Sequence, residues 1–129
     1  MIYGVGTDVV EVSRIAKALE RFGDNFAKKI LNHEELLVFK KNKMKENFLA
    51  KRFAAKEAFA KSIGTGFRGD LNFRDVSIIN DKLGKPSFMI NEKIKKIIKK
   101  KFKISSFNFF LSISDENKYS IAYVILQKK

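Results

Sequence analysis

Asp8, Glu57 and Lys61 are the residues whose types and spacing offer chemistry. Glu57 lies in "RFAAKEAFAKSIGTGF" (52–67), where every other charge up to the glycine turn is positive: Arg52, Lys56 and Lys61. Four residues separate Glu57 from Lys61, so the two share a helical face. Alone, that spacing describes an ion pair worth a few tenths of a kcal/mol. The turn Gly64-Thr65-Gly66 follows at once. A lysine beside free backbone N–H groups makes a phosphate cradle. It is not a P-loop, because the glycines close the helix instead of opening it. Asp8 supplies a second acid after "GVGT" (4–7). An aspartate at a strand end and a glutamate on a helix can converge on one hard cation. Mg²⁺ takes one or two carboxylates and fills its octahedron with water and substrate phosphates. These residues therefore describe a Mg²⁺–diphosphate site, with Asp8 and Glu57 on the metal and Lys61 on phosphate.

Other chemistries find no footing. The chain has no cysteine, which removes disulfides and thiolate metal sites and fits a reducing compartment. His33 is the single histidine and opens a polar-faced helix, so it reads as a surface residue. A histidine triad is thereby removed. No window approaches the roughly 20 apolar residues of a membrane span. "MIYGVGTD" has no basic n-region and no apolar stretch of signal length, so a cytoplasmic protein is expected. The net charge of +13, from 27 basic and 14 acidic residues, favours an anionic partner. Only five of the basic residues are arginine, a lysine bias that genome composition also produces.

The elements that position these residues follow from periodicity. Residues 2–10 are apolar and β-rich, a strand ending near Asp8. Val12, Ile15, Ala16, Leu19 and Phe22 form one stripe of a helix over 12–22. Asn32 and Glu35 make a capping box before a second helix. Phe48 to Ile63 holds a 3.6-residue period over 45–63, the longest helix, and Gly64 stops it. That phase puts Phe53 in the core. Ala54, Ala55, Ala58 and Ala60 leave room for close approach by other backbone, by substrate or by a neighbouring subunit. "DVSIIN" and "PSFMIN" are strands around a turn with Gly84. A lysine-ringed helix follows Asn91, and "FNFFLSIS" and "YSIAYVIL" pair as a hairpin across "DENK". The expected architecture is one α+β domain over 1–129, with a largely antiparallel sheet packed on a long helix.

"GVGTDVVEVSRI" (4–15) and "FLAKRFAAKEAFAKSIGTG" (48–66) resemble the two signature blocks of the holo-acyl-carrier-protein synthases, the short single-domain 4′-phosphopantetheinyl transferases. "GKPSF" (84–88) and "LSISDENKYSIAYVI" (111–125) match in place and character. The resemblance implies transfer of 4′-phosphopantetheine from coenzyme A to a serine of apo acyl carrier protein, releasing adenosine 3′,5′-bisphosphate, in support of fatty acid biosynthesis. It implies Mg²⁺ on Asp8 and Glu57, and a coenzyme A site drawn from Arg52, Lys61, Gly64, Thr65, Gly66, Lys85, Pro86 and Ser112. Arg14 and Arg21 on the first helix would dock the acidic carrier. A homotrimer with sites across subunit boundaries is also implied. Water on the metal or Glu57 itself would take the serine proton.

One departure is clear. The family often carries histidines in a segment resembling "HVSISH", where this chain reads "FLSISD", with Phe110 and Asp115 in those places. Asp115 could accept a hydrogen bond or proton there, or serve only as a turn residue. Two other readings stay open at this level: a nucleic-acid-binding module using the lysine helix over 92–103, and a transferase fold that has lost activity. The first requires steeply salt-dependent binding and dispensable Asp8 and Glu57.

Overall fold

The computed structural model describes residues 1–129. The chain runs β1 (Ile2–Glu11), α1 (Val12–Phe22), α2 (Asp24–Ile30), α3 (His33–Lys41) and α4 (Lys45–Ile63). A 3₁₀ turn (Phe73–Asp75) leads into β2 (Ser77–Asn80), β3 (Pro86–Met89), α5 (Glu92–Phe102), β4 (Phe107–Asp115) and β5 (Tyr119–Lys128). One sheet has the order β1-β5-β4, and β2 and β3 form a separate ribbon. All pairings are antiparallel, so the architecture is α+β as expected.

Two expectations about the elements need correction. Helix α2 was not foreseen: Gly23, at φ 63°, ends α1 and the chain turns straight into a second short helix. Strand β1 also does not end near Asp8. Its partner β5 is ten residues long and pairs with it as far as Glu11, so Asp8 stands inside the strand, opposite Ala122.

Helix α4 lies directly on β1, and glycine is what permits it. A Cβ on Gly6 would fall 1.9 Å from the Ala58 carbonyl oxygen, and one on Gly4 1.8 Å from that of Ser62. Main chain thus touches main chain, which only a residue without a side chain allows. The alanines of α4 serve the same seam. Ala54, Ala55 and Ala58 are wholly buried in a cluster with Ala122 and Val124 of β5. The close approach these alanines allow is therefore by backbone within the core, and not by a substrate or a second subunit. Phe53 also departs from expectation: it is half-buried, stacked on Phe73 with centroids 5.5 Å apart. Phe59 is the ring that fills the core, 4.4 Å from Phe109 and 4.8 Å from Phe88.

Strand alternation gives the three-stranded sheet two unlike faces. Gly6, Asp8 and Val10 look toward the helices. The opposite face carries Val5, Val9, Ile121, Tyr123 and Phe110, each about half exposed. Register aligns Val5, Ile125 and Phe110 in one row and Val9 with Ile121 in another. Helix α5 buries Ile94 and Ile98 and turns most of its lysines outward, the pattern of a solvated face on an apolar stripe.

Candidate active site

Asp8 and Lys61 meet where the last turn of α4 crosses β1. Lys61 Nζ lies 3.1 Å from Asp8 Oδ1 and donates to the Thr7 carbonyl at 3.0 Å. The lysine therefore bridges to the strand instead of forming the intrahelical pair with Glu57. Glu57, one turn earlier on the same face, is half-buried. Its carboxyl is held above the ordinary glutamate range, first by burial and then by repulsion from Asp8, with Lys61 acting in the opposite sense. Burial and a like charge both oppose ionisation. A divalent cation between the two acids relieves both effects, so the residues fit such an ion. No group of three or more His, Cys, Asp or Glu side chains gathers anywhere. An ion here would hold two protein carboxylates and take its remaining oxygens from water and substrate, which suits Mg²⁺.

Gly64 closes α4 in the left-handed region at φ 85°, and Gly66 also has positive φ at 59°. These angles keep the Gly64-Thr65-Gly66 turn tight against the end of the helix that carries Lys61. Lys101 of α5 reaches over Gly64, adding a further cation beside the turn.

The other candidates lie elsewhere on the chain. Arg52 is nine residues before Lys61, about 13 Å along the helix axis at 1.5 Å per residue. It lines a separate groove with Lys51, Asn80, Pro86 and Asp115. Its guanidinium is largely engaged, donating to the Ile78 carbonyl at 2.6 Å and to Asn80 Oδ1 at 2.9 Å. Lys85 is exposed in the turn just before Pro86. Ser112 sits on the apolar outer face of the sheet, in the row with Tyr123 and Thr7, away from Asp8 and Glu57. Phe110 lies on that same face. Asp115 ends β4 opposite Ser120 and is exposed. One chain thus brings together Asp8, Glu57, Lys61 and the glycine turn, but holds Arg52, Lys85, Pro86 and Ser112 apart from them. Arg14 and Arg21 project from α1 with Lys17 between them, a basic exposed face at helical spacing.

The family model of the 4′-phosphopantetheinyl transferase superfamily matches residues 4–124, both acids and the whole of α4 included. The chain belongs to this superfamily. It is accordingly a transferase. A holo-[acyl-carrier-protein] synthase from Pelagibacter ubique is 64% identical over 99% of this chain and 98% of that protein. The crystal structure of holo-[acyl-carrier-protein] synthase from Neisseria meningitidis is 47% identical, covers 99% of this chain and 100% of that one, and superposes with a TM-score of 0.90. The structure of the Bacillus anthracis synthase in complex with CoA (3′,5′-ADP) is 34% identical, with coverage of 100% and 99% and a TM-score of 0.82.

As buried charges, Lys56 and Glu35 escaped sequence reasoning. Both are buried and joined to each other. The capping box named Glu35, but only as a helix start. A lysine inside an otherwise apolar helical face was the one local signal for Lys56.

Proposed function

We propose that this protein is a holo-acyl-carrier-protein synthase, a single transferase domain over residues 1–129. It moves 4′-phosphopantetheine from coenzyme A to a serine of apo acyl carrier protein and releases adenosine 3′,5′-bisphosphate. The carrying observation is the convergence of Asp8, Glu57 and Lys61 where α4 crosses β1, with Glu57 held above its usual titration range by burial and by Asp8. The comparisons with synthases, one of them bound to coenzyme A, support the same reading.

In this reading the serine Oγ attacks the β-phosphorus of coenzyme A. A new P–O bond forms and the bridging P–O bond to the adenosine side breaks. Mg²⁺ on Asp8 and Glu57 would supply charge neutralisation for the diphosphate. Lys61 places its ammonium against the phosphoryl oxygens as charge grows there. Glu57 or a water beside it takes the serine proton as general base.

Arg14 and Arg21 form the docking face for an acidic carrier. Arg52, Gly64, Thr65, Gly66, Lys85, Pro86 and Ser112 contribute to the coenzyme pocket from two subunits. The separation of these residues on one chain supports a site shared across a boundary, and the apolar outer sheet face supports a homotrimer built on it. No helix is long and apolar enough to cross a membrane. The proposed setting is the cytoplasm, in fatty acid biosynthesis.

The test is incubation with apo carrier protein, coenzyme A and Mg²⁺, read by mass spectrometry. A phosphopantetheine mass gain that is lost with chelator is expected. No gain would end this reading.

A further inference from the structure

The most deeply buried charges of the protein are not at the Asp8–Glu57–Lys61 cluster. Lys56 is wholly enclosed, Glu35 is 4% exposed and Arg52 7%. Glu35 stands between the two cations. Its Oε1 accepts from Lys56 Nζ at 2.6 Å and from the Asn32 N–H at 3.1 Å. Its Oε2 accepts from the Ile78 N–H at 3.3 Å and faces Arg52 Nη1 at 3.5 Å. Lys56 also donates to the Ile30 carbonyl at 2.6 Å.

The network continues outward from Arg52. Asn80 Oδ1 accepts from Arg52 Nη2, and Asn80 Nδ2 donates to the Gly84 carbonyl at 3.0 Å. Gly84 precedes Lys85 and Pro86 in the β2–β3 turn. Asp81 Oδ1 receives the Leu83 and Lys85 N–H groups of that turn at 2.9 Å each. A continuous line of polar contacts thus runs from Lys56, adjacent to Glu57 in α4, through Glu35, Arg52 and Asn80 to the Lys85–Pro86 turn.

Stability alone is a weak account of such a cluster. The attraction within a buried ion group barely offsets the cost of drying its members, and apolar residues of like volume often serve as well. Direction is the more telling feature. The network ends on an exposed amide whose two ends hold a helix side chain and a turn.

We infer that Glu35, Arg52 and Asn80 form a positioning chain that fixes the Lys85–Pro86 turn against α4. The chain sets the wall of the groove that Arg52, Asn80 and Pro86 line. The inference rests on the reading of that groove as part of the coenzyme A pocket. Glu35 never touches the coenzyme in this scheme; it acts through Arg52, and Asn80 passes the constraint to the turn.

Asn80 is exposed, so its loss opens no core cavity, and Glu35, which lines no part of the groove, separates positioning from direct contact. Asn80→Ala removes both contacts. Asn80→Asp keeps an acceptor for Arg52 but cannot donate to Gly84. Each variant is assayed for transfer to apo carrier protein with Mg²⁺, and titrated calorimetrically with coenzyme A. Displacing a substrate-positioning wall should raise KM and Kd for coenzyme A about tenfold, with kcat within about twofold of wild type and thermal stability nearly unchanged. Glu35→Gln should show the same rise in KM alongside a lower Tm. Glu35→Gln combined with Asn80→Ala should be no worse in KM than either alone, since one chain is cut twice.

Coenzyme A affinity unchanged by both Asn80 variants would overturn the chain, as would fully additive KM effects. Should the wild type transfer nothing yet bind coenzyme A, with Asn80→Ala weakening that binding, the transferase reading falls and the chain stands. Wild-type transfer with unaltered binding in Asn80→Ala removes the chain alone.

Discussion

Lys61 reaches across from α4 to β1, placing its ammonium 3.1 Å from Asp8 Oδ1, while Glu57 on its own helix face keeps no ion pair. The pair is half-exposed on the lysine side, so its contribution to folding is below about 1 kcal/mol. Asp8→Asn should leave stability almost untouched. Transfer activity should fall by about a hundredfold or more, as expected when charge stabilisation of a transition state is removed. Parallel thermal melts and mass-detected transfer check this. An active Asp8→Asn enzyme would refute the assignment of Asp8 to the site.

Glu57 carries a pH signature. Its native titration is raised by burial first and Asp8 second. The native state therefore resists the charged form. The penalty is absent below the ordinary glutamate range, develops as pH rises through it, and is full above the raised native value. Without Mg²⁺, Glu57→Gln should be more stable than wild type at neutral pH. That advantage should disappear below about pH 4, near the ordinary glutamate titration. With saturating Mg²⁺ the wild type should regain stability and the variant should not, because only the wild type keeps both carboxylates. Melts across pH, with and without the ion, give the answer.

Gly6→Ala tests the strand–helix seam. The added methyl would sit 1.9 Å from the Ala58 carbonyl oxygen, so β1 must lift away from α4. Over-packing of this kind costs about 3 kcal/mol, and both members of the acid pair would move. Denaturant unfolding should show the loss, and activity should fall with it even where the variant remains folded.

The aromatic core offers a graded comparison. Phe59→Ala should cost about 3–5 kcal/mol, since the ring is wholly buried between Phe88 and Phe109. Phe53→Ala should cost about 2 kcal/mol, because a partly buried ring loses only part of the transfer free energy. Equal costs would contradict this placement.

Ile121→Lys and Tyr123→Lys place charge in the middle of the apolar outer face. Light scattering should find an oligomer for wild type and a monomer for the variants. Transfer activity should drop in the monomer while Asp8, Glu57 and Lys61 keep their local arrangement, as expected of a site shared between chains.

Much of this molecule is legible in its sequence. Helix α4, its stop at Gly64 and the β4–β5 hairpin follow from local periodicity and turn chemistry, which operate over a few residues. The same is true of Glu57 and Lys61 sharing a face. What was not readable depends on partners far along the chain. Asp8 inside β1 reflects pairing with β5, over a hundred residues later. The alanines announce a close approach, but nothing local reveals that β1 makes it through Gly4 and Gly6. Glu35 announced itself as a cap, and its role with Lys56, Arg52 and Ile78 spans 17 to 43 residues. Arg52 and Lys61 share one helix, yet its length sets them apart, and the period alone does not say which neighbours each meets.

The glycine seam has a bearing on how firmly the two acids are held apart. Side chains between packed elements can hop rotamers and yield, but peptide groups in contact have almost no such play. The spacing of the Asp8 and Glu57 backbones is therefore fixed by main-chain geometry, leaving only side-chain torsions to adjust to a guest. A substitution that lifts β1 from α4 therefore shifts the two carboxylates relative to one another, although Gly4 and Gly6 carry no side chain of their own.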